Sequence, residues 1–196
     1  MTYQESYQTW LDFADLPDYL REELVAMDEK TKEDAFYTNL EFGTAGMRGY
    51  IGAGTNRINV FVVRQATEGL AKLVESKGEE AKKRGVAIAY DSRHFSPEFA
   101  FESAQVLAAH GIKSYVFESL RPTPELSFAV RHYNAIAGIM VTASHNPKEF
   151  NGYKVYGEDG GQMPPADAAA LTDYIRDIEN PFAVELADLK ASKENG

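Results

Sequence analysis

Three segments of the 196-residue chain combine residue types that can do chemistry. The longest reads Thr142-Ala-Ser-His-Asn-Pro-Lys-Glu-Phe-Asn-Gly-Tyr-Lys-Val-Tyr156. A serine directly after an apolar run, followed by His, Asn and Pro, invites a nucleophile reading of Ser144. A hydrolase pair of Ser144 and His145 is rejected on two grounds. Adjacent side chains in an extended loop diverge, and the flanking sequence lacks the Gly-x-Ser-x-Gly elbow. His94, His110 and His132 could supply a base only through tertiary proximity. A phosphorylated Ser144 suits the surroundings better. A phosphoserine carries nearly two negative charges and needs donors and a cation. His145, Asn146 and Lys154 lie close in sequence, and Arg48 could arrive from another loop. An Asn-Pro turn without chemistry is the plainer alternative.

The second segment is Glu41-Phe-Gly-Thr-Ala-Gly-Met-Arg-Gly49. Its glycines let the backbone approach a ligand closely. Exposed amides and a guanidinium together make a phosphate cradle. A turn whose arginine pairs with a surface carboxylate would look the same. The third segment, Asp91-Ser-Arg-His-Phe-Ser-Pro97, links an apolar run to a helix start, where free amides and the helix dipole favour an anion. In the simpler reading, Asp91 and Ser96 cap that helix and Arg93 is solvated.

The elements that position these segments are legible from periodicity. The first forty residues read as short helices, one starting at Leu16-Pro17 with Leu20, Leu24 and Met27 on one face. A strong helix spans about 59–77, its stripe Val60, Val63, Thr67, Leu70 and Val74. Val86–Tyr90 is a buried strand. Ser96-Pro97 looks like an N-cap and first-turn pair for a helix ending near His110. Residues 113–117 form a strand, 124–133 a helix and 136–141 a second buried strand. Residues 151–156 read as an edge strand, and 166–178 as the last helix. This alternation predicts an α/β domain, three-layer α/β/α, with a mainly parallel, mixed sheet. Ligands gather beyond the carboxyl ends of such strands, and the loops 91–94 and 142–147 lie there.

Composition narrows the function classes. Hydrophobic residues are 44% of the chain, enough for a core that buries roughly 70% of the unfolded surface. Twenty basic and thirty acidic residues leave a net charge of −10, and no Lys/Arg run offers a nucleic-acid footprint. The absence of cysteine removes disulfides, thiolate metal sites and Cys nucleophiles, and fits a reducing compartment. The N-terminus has no signal-peptide pattern and no run spans a membrane, so a cytoplasmic location is expected.

Taken together, the motifs carry a resemblance. Thr142-Ala-Ser-His-Asn-Pro147 with Asn151-Gly-Tyr-Lys154 resembles the phosphoserine loop of the α-D-phosphohexomutases. Phe42-Gly-Thr-Ala-Gly-Met-Arg-Gly49 resembles that family's amino-terminal loop, in its phosphoglucomutase and phosphopentomutase form, and Asp91-Ser-Arg93 matches a third segment. The order is the family's, over about residues 41–161. The resemblance implies that Ser144 carries a phosphoryl group that passes to a sugar phosphate, with a hexose bisphosphate as intermediate and activator. It implies Mg2+ bound to that phosphate, Ser144 being the one metal-linked residue in this chain. Arg48 and Lys154 would handle the sugar hydroxyl proton or stabilise charge, and Lys154 could be a base only with its pKa well below ~10.4. His145 and Asn146 would hold the loop and phosphate, with Thr44 and Arg93 in support.

Family enzymes have four domains and more than twice this length. Their Asp-Gly-Asp-x-Asp-Arg metal loop has no counterpart here, and Glu158-Asp-Gly-Gly161 is not it. The expected organisation is therefore a helical segment over 1–40, the family's first domain over 41–180, and the start of a linker over 181–196. The expected partners are a sugar phosphate and the remaining domains of a parent enzyme, with no nucleic acid or membrane. The isolated domain is expected to be inactive. The alternatives are a stand-alone, non-catalytic phosphosugar-binding or regulatory module and, remotely, a serine hydrolase.

Overall fold

A computed structural model describes residues 1–43 and 46–195. Five strands form one mixed sheet in the order β1-β5-β4-β2-β3: β1 (Met47–Tyr50), β2 (Val86–Tyr90), β3 (Ser114–Val116), β4 (Ala137–Val141) and β5 (Phe150–Gly157). The pairs β4/β2 and β2/β3 are parallel, whereas β5 runs antiparallel to both β4 and β1. The segment expected at an edge is therefore internal. The edge on that side is β1, a glycine-containing four-residue strand that reads in sequence as loop.

Three short helices open the chain: α1 (Tyr3–Asp12), α2 (Asp18–Ala26) and α3 (Glu29–Phe36). Thr2 and Glu5 form a capping box on α1, and Asp28 caps α3 through the Thr31 amide. The long helix α4 (Val60–Ser76) starts where Asn59 accepts from the Val62 amide while donating to the carbonyls of Gly52 and Gly54. A short helix, α5 (Glu79–Arg84), follows between Gly78 and Gly85, a helix the periodicity does not reveal. Then come α6 (Ser96–Ala109), α7 (Thr123–His132), α8 (Pro165–Arg176), a 3-10 turn (Pro181–Ala183) and α9 (Leu189–Asn195).

The two-residue period of the strands divides the core. Val86, Ile88, Tyr90, Ile139, Val141, Tyr153 and Val155 pack with residues of α1, α4, α6 and α8 in the main core. Ala87, Ala89, Met140 and Tyr156 point the other way, onto Leu126, Ala129 and Val130 of α7. The central strands β2 and β4 are buried along their full length, as strands covered on both faces must be. Among the described residues α7 is the helix on that second face, and it contacts β2 and β4. Residues 181–195, expected to begin a linker, fold back. Phe182 stacks on Phe13 at 4.3 Å and meets Trp10 and Phe61 edge-on, and the Ala187 amide donates to Gln105 of α6.

Candidate functional site

Strands β4 and β2 point their carboxyl ends the same way, so the loops after Val141 and Tyr90 emerge side by side. The Asp91 amide donates to the Val141 carbonyl at 3.1 Å, joining the two loops at their roots. Strand pairing aligns the rest. The Thr142 amide donates to Gly152, and Gly152 is the register partner of Arg48. Lys154 sits opposite Met140, whose side chain faces the α7 core. Arg48 and Lys154 therefore project from the second face of the sheet, on the β1/β5 half that lies beyond the strands α7 contacts. Gly152 makes this close row possible: a Cβ there would lie 2.6 Å from the Thr142 carbonyl oxygen and 2.8 Å from that of Met47. Gly46, at φ +85°, brings the turn before β1 against the backbone of Tyr153 and Lys154.

Ser144 lies exposed in the loop at φ +58°, a left-handed conformation that a serine adopts at some cost. Its amide donates to Thr142 Oγ1 at 3.0 Å. The left-handed turn corrects one expectation. Sequence reasoning assumed an extended loop with divergent neighbours, yet Ser144 Oγ and His145 Nδ1 approach to 3.4 Å. That distance is at the outer limit of a hydrogen bond, and with no third group bonded to His145 among the described residues it is not a catalytic pair. Asn146 accepts from Arg48 Nη1 at 2.6 Å, tying the loop to β1. Burial of Lys154, reinforced by the neighbouring Arg48 charge, pushes its pKa below the usual lysine range. Among the described residues neither Arg48 nor Lys154 has a carboxylate within ion-pair distance.

Arg93 is not solvated. It donates to the carbonyls of Ser144, Asn146, Pro147 and Phe150 and pairs with Asp91. Asp91 Oδ1 accepts from the Arg93 amide and from Ser96 Oγ, so Ser96 braces the loop and does not cap α6. The residue preceding α6 is Phe95, at φ +63°. Asn151 reaches His94 O and Ser96 Oγ from β5. Thr44 lies outside the described residues. The structure thus gathers Ser144, His145, Asn146, Arg48, Lys154 and Arg93 at one end of the sheet. Sequence reasoning did not single out Thr142 or Gly152. The signal for Gly152 was a glycine inside a strand pattern, which marks close backbone approach.

The described residues contain no group of three or more His, Asp or Glu side chains able to cage a metal ion. None of their helices is long and apolar enough to cross a membrane. The arrangement is an exposed serine hydroxyl on a loop that Arg48 holds through Asn146, with Lys154 on the same sheet face and no carboxylate paired to either cation among the described residues, a site that can receive an anionic group.

Comparison with known proteins agrees. Residues 39–182 match the family model for phosphoglucomutase/phosphomannomutase, alpha/beta/alpha domain I. A phosphoglucomutase of Staphylococcus saprophyticus is 45% identical over 168 residues, which is 86% of this chain and 30% of that protein. A phosphoglucomutase of Staphylococcus aureus is 43% identical over 164 residues, 84% of this chain and 29% of that protein. A crystal structure from Thermus thermophilus, described as a phosphomannomutase, superposes with a TM-score of 0.67 at 32% identity, covering 76% of this chain and 32% of the other. The chain spans about 30% of the length of these curated relatives. With well over half its length matched in sequence and its mixed sheet superposing on a solved relative, the chain belongs to the phosphoglucomutase/phosphomannomutase family, as the alpha/beta/alpha domain I.

Proposed function

We propose that Ser144 is the phosphoryl carrier of a phosphoglucomutase-type reaction that interconverts hexose 1-phosphate and hexose 6-phosphate through a bisphosphate. The observation that carries this reading is the pair Arg48 and Lys154. In a chain of net charge −10, two cations with no carboxylate partner among the described residues stand on the sheet face, one of them bonded to the loop of an exposed, left-handed Ser144. Such a pair favours an anion.

In the forward half-reaction the free hydroxyl of the sugar phosphate attacks the phosphorus on Ser144. A new P–O bond forms to the sugar, the P–Oγ bond breaks, and Ser144 Oγ ends as the hydroxyl. Lys154, with its depressed pKa, takes the sugar proton, and a proton returns to Ser144 Oγ. Arg48 offsets charge on the equatorial oxygens, and Asn146 keeps it in place. His145 and Thr44 contribute further phosphate donors. After the bisphosphate reorients, its other phosphoryl group returns to Ser144. Glucose is the leading sugar, ahead of pentose and mannose.

Magnesium would neutralise charge on this phosphate, but the described residues do not fit it unaided: among them no group of three His, Asp or Glu side chains stands ready to hold it beside the Ser144 phosphate. Mg2+ binding and turnover then need acidic residues and sugar contacts from further domains of a cytoplasmic parent enzyme. This chain alone does not turn over at an enzyme-like rate of roughly several per second. The test is incubation with glucose 1,6-bisphosphate, with the remaining domains supplied, followed by peptide mass spectrometry. Phosphate on Ser144, absent from Ser144→Ala, is the expected result. Phosphate on another residue, or a bare Ser144, overturns the reading.

A further inference from the structure

We propose that Arg93 is a positioning residue, a clamp of four hydrogen bonds and one ion pair that holds Ser144 in its left-handed conformation, and not a ligand of the phosphate. A guanidinium has five N–H donors in a fixed planar fork. In Arg93 the four Nη donors each have a protein oxygen, and Nε lies beside its ion-pair partner. Nε faces Asp91 Oδ2 at 3.3 Å. Nη1 donates to Pro147 O at 2.8 Å and Phe150 O at 3.0 Å. Nη2 donates to Ser144 O at 3.0 Å and Asn146 O at 2.7 Å. No Nη donor is left to meet a phosphate, Nε faces the Asp91 carboxylate, and the side chain is only 13% exposed.

The geometry also says what the clamp achieves. The peptide before Ser144 is fixed by its N–H bond to Thr142 Oγ1, and the peptide after it by the carbonyl bond to Arg93. Holding both flanking peptides fixes both soft dihedrals of Ser144 and therefore the aim of its Oγ. The remaining clamp bonds reach along the loop to β5, so the loop after β2 sets the shape of the loop after β4. A lysine keeps the charge, but its three donors radiate from one nitrogen and cannot span carbonyls of four residues.

The catalytic consequence rests on Ser144 being the phosphoryl carrier; the clamp itself does not, and the experiment separates the two. Amide hydrogen exchange is compared in wild type, Arg93→Ala and Arg93→Lys. The loop reporters are Asn146 and Phe150, whose amides bond to the carbonyls of Ala143 and Pro147. The core reporter is Met140 in β4. We expect both loop amides to exchange at least about tenfold faster in both variants, with Met140 unchanged within about twofold. Loop exchange at the wild-type rate in Arg93→Lys overturns the clamp. So does an unchanged loop in Arg93→Ala that loses its protection by inorganic phosphate, which would make Arg93 a ligand. In parallel, with the remaining domains supplied, phosphoryl acceptance by Ser144 from glucose 1,6-bisphosphate falls at least about tenfold in both variants. A loosened loop in the variants, with no acceptance even in wild type, sinks the carrier reading while the clamp stands.

Discussion

Replacing Gly152 by alanine tests how the strands build the site. Gly152 lies on the internal strand β5, outside the left-handed region, so the cost of a side chain there is purely steric. The new Cβ would sit 2.6 Å from the Thr142 carbonyl oxygen and 2.8 Å from the Met47 carbonyl oxygen, against an ordinary contact of 3.4–4 Å. Both neighbours are backbone, on the β4 side and the β1 side of β5, so moving away from one worsens the other. Overpacking of a rigid site costs about 1–3 kcal/mol, and a two-sided backbone clash belongs at the top of that range. The lower entropy of the unfolded alanine chain returns about 0.4–1 kcal/mol. The net loss is then about 2–2.6 kcal/mol. With a urea m-value of about 2 kcal/mol/M, the unfolding midpoint falls by about 1–1.3 M. Gly43→Ala is the control, because a Cβ at Gly43 meets nothing within 4 Å. Its midpoint stays at or slightly above wild type. The same clash separates Arg48 from the Ser144 loop, so phosphoryl acceptance at Ser144 falls with the midpoint. A Gly152→Ala midpoint within about 0.3 M of wild type would refute the packing argument.

Two further predictions concern the helical layer. His110 lies between Glu68 at 2.8 Å and Glu75 at 3.0 Å; partial burial disfavours its charge, but the two carboxylates outweigh this and raise its pKa. A raised folded pKa gives stability that is present below the unfolded value of about 6.5 and lost as pH rises through the folded value. Thermal melts from about pH 6 to 9 should therefore show a loss of under about 1 kcal/mol, or about 2–4 °C, that His110→Gln abolishes. An unchanged pH profile in that variant would rule out the brace. Phe182→Ala removes a ring stacked on Phe13 and wedged against Trp10 and Phe61, costing about 2–3 kcal/mol and lowering the melting temperature by about 4–10 °C. A change under about 2 °C would show that residues after 180 are independent of the domain.

Much of this protein is decided locally. The apolar runs Val86–Tyr90 and Ala137–Val141, bounded by turn residues, read as strands buried on both faces, and the stripe from Val60 to Val74 reads as a helix on a core. The order of those elements, with short loops, leaves an α/β sheet as the solution. Ser144 was legible because His, Asn and a distant Lys surround it in one polar segment directly after a buried strand. What stayed hidden depends on contacts between residues far apart in the chain. The strand Met47–Tyr50 has too few residues and too much glycine to announce itself, and it exists because β5 offers it an edge. That pairing makes β5 internal and sets Arg48 beside Gly152 and Thr142. The left-handed turn at Ser144 is unfavourable for its own residue and persists through bonds from Thr142 and Arg93, the latter 51 residues away in sequence. The arginine illustrates the division. Its type and place after a strand mark it as important, but whether its donors face a ligand or protein oxygens is a matter of three-dimensional distance, which spacing along the chain does not encode.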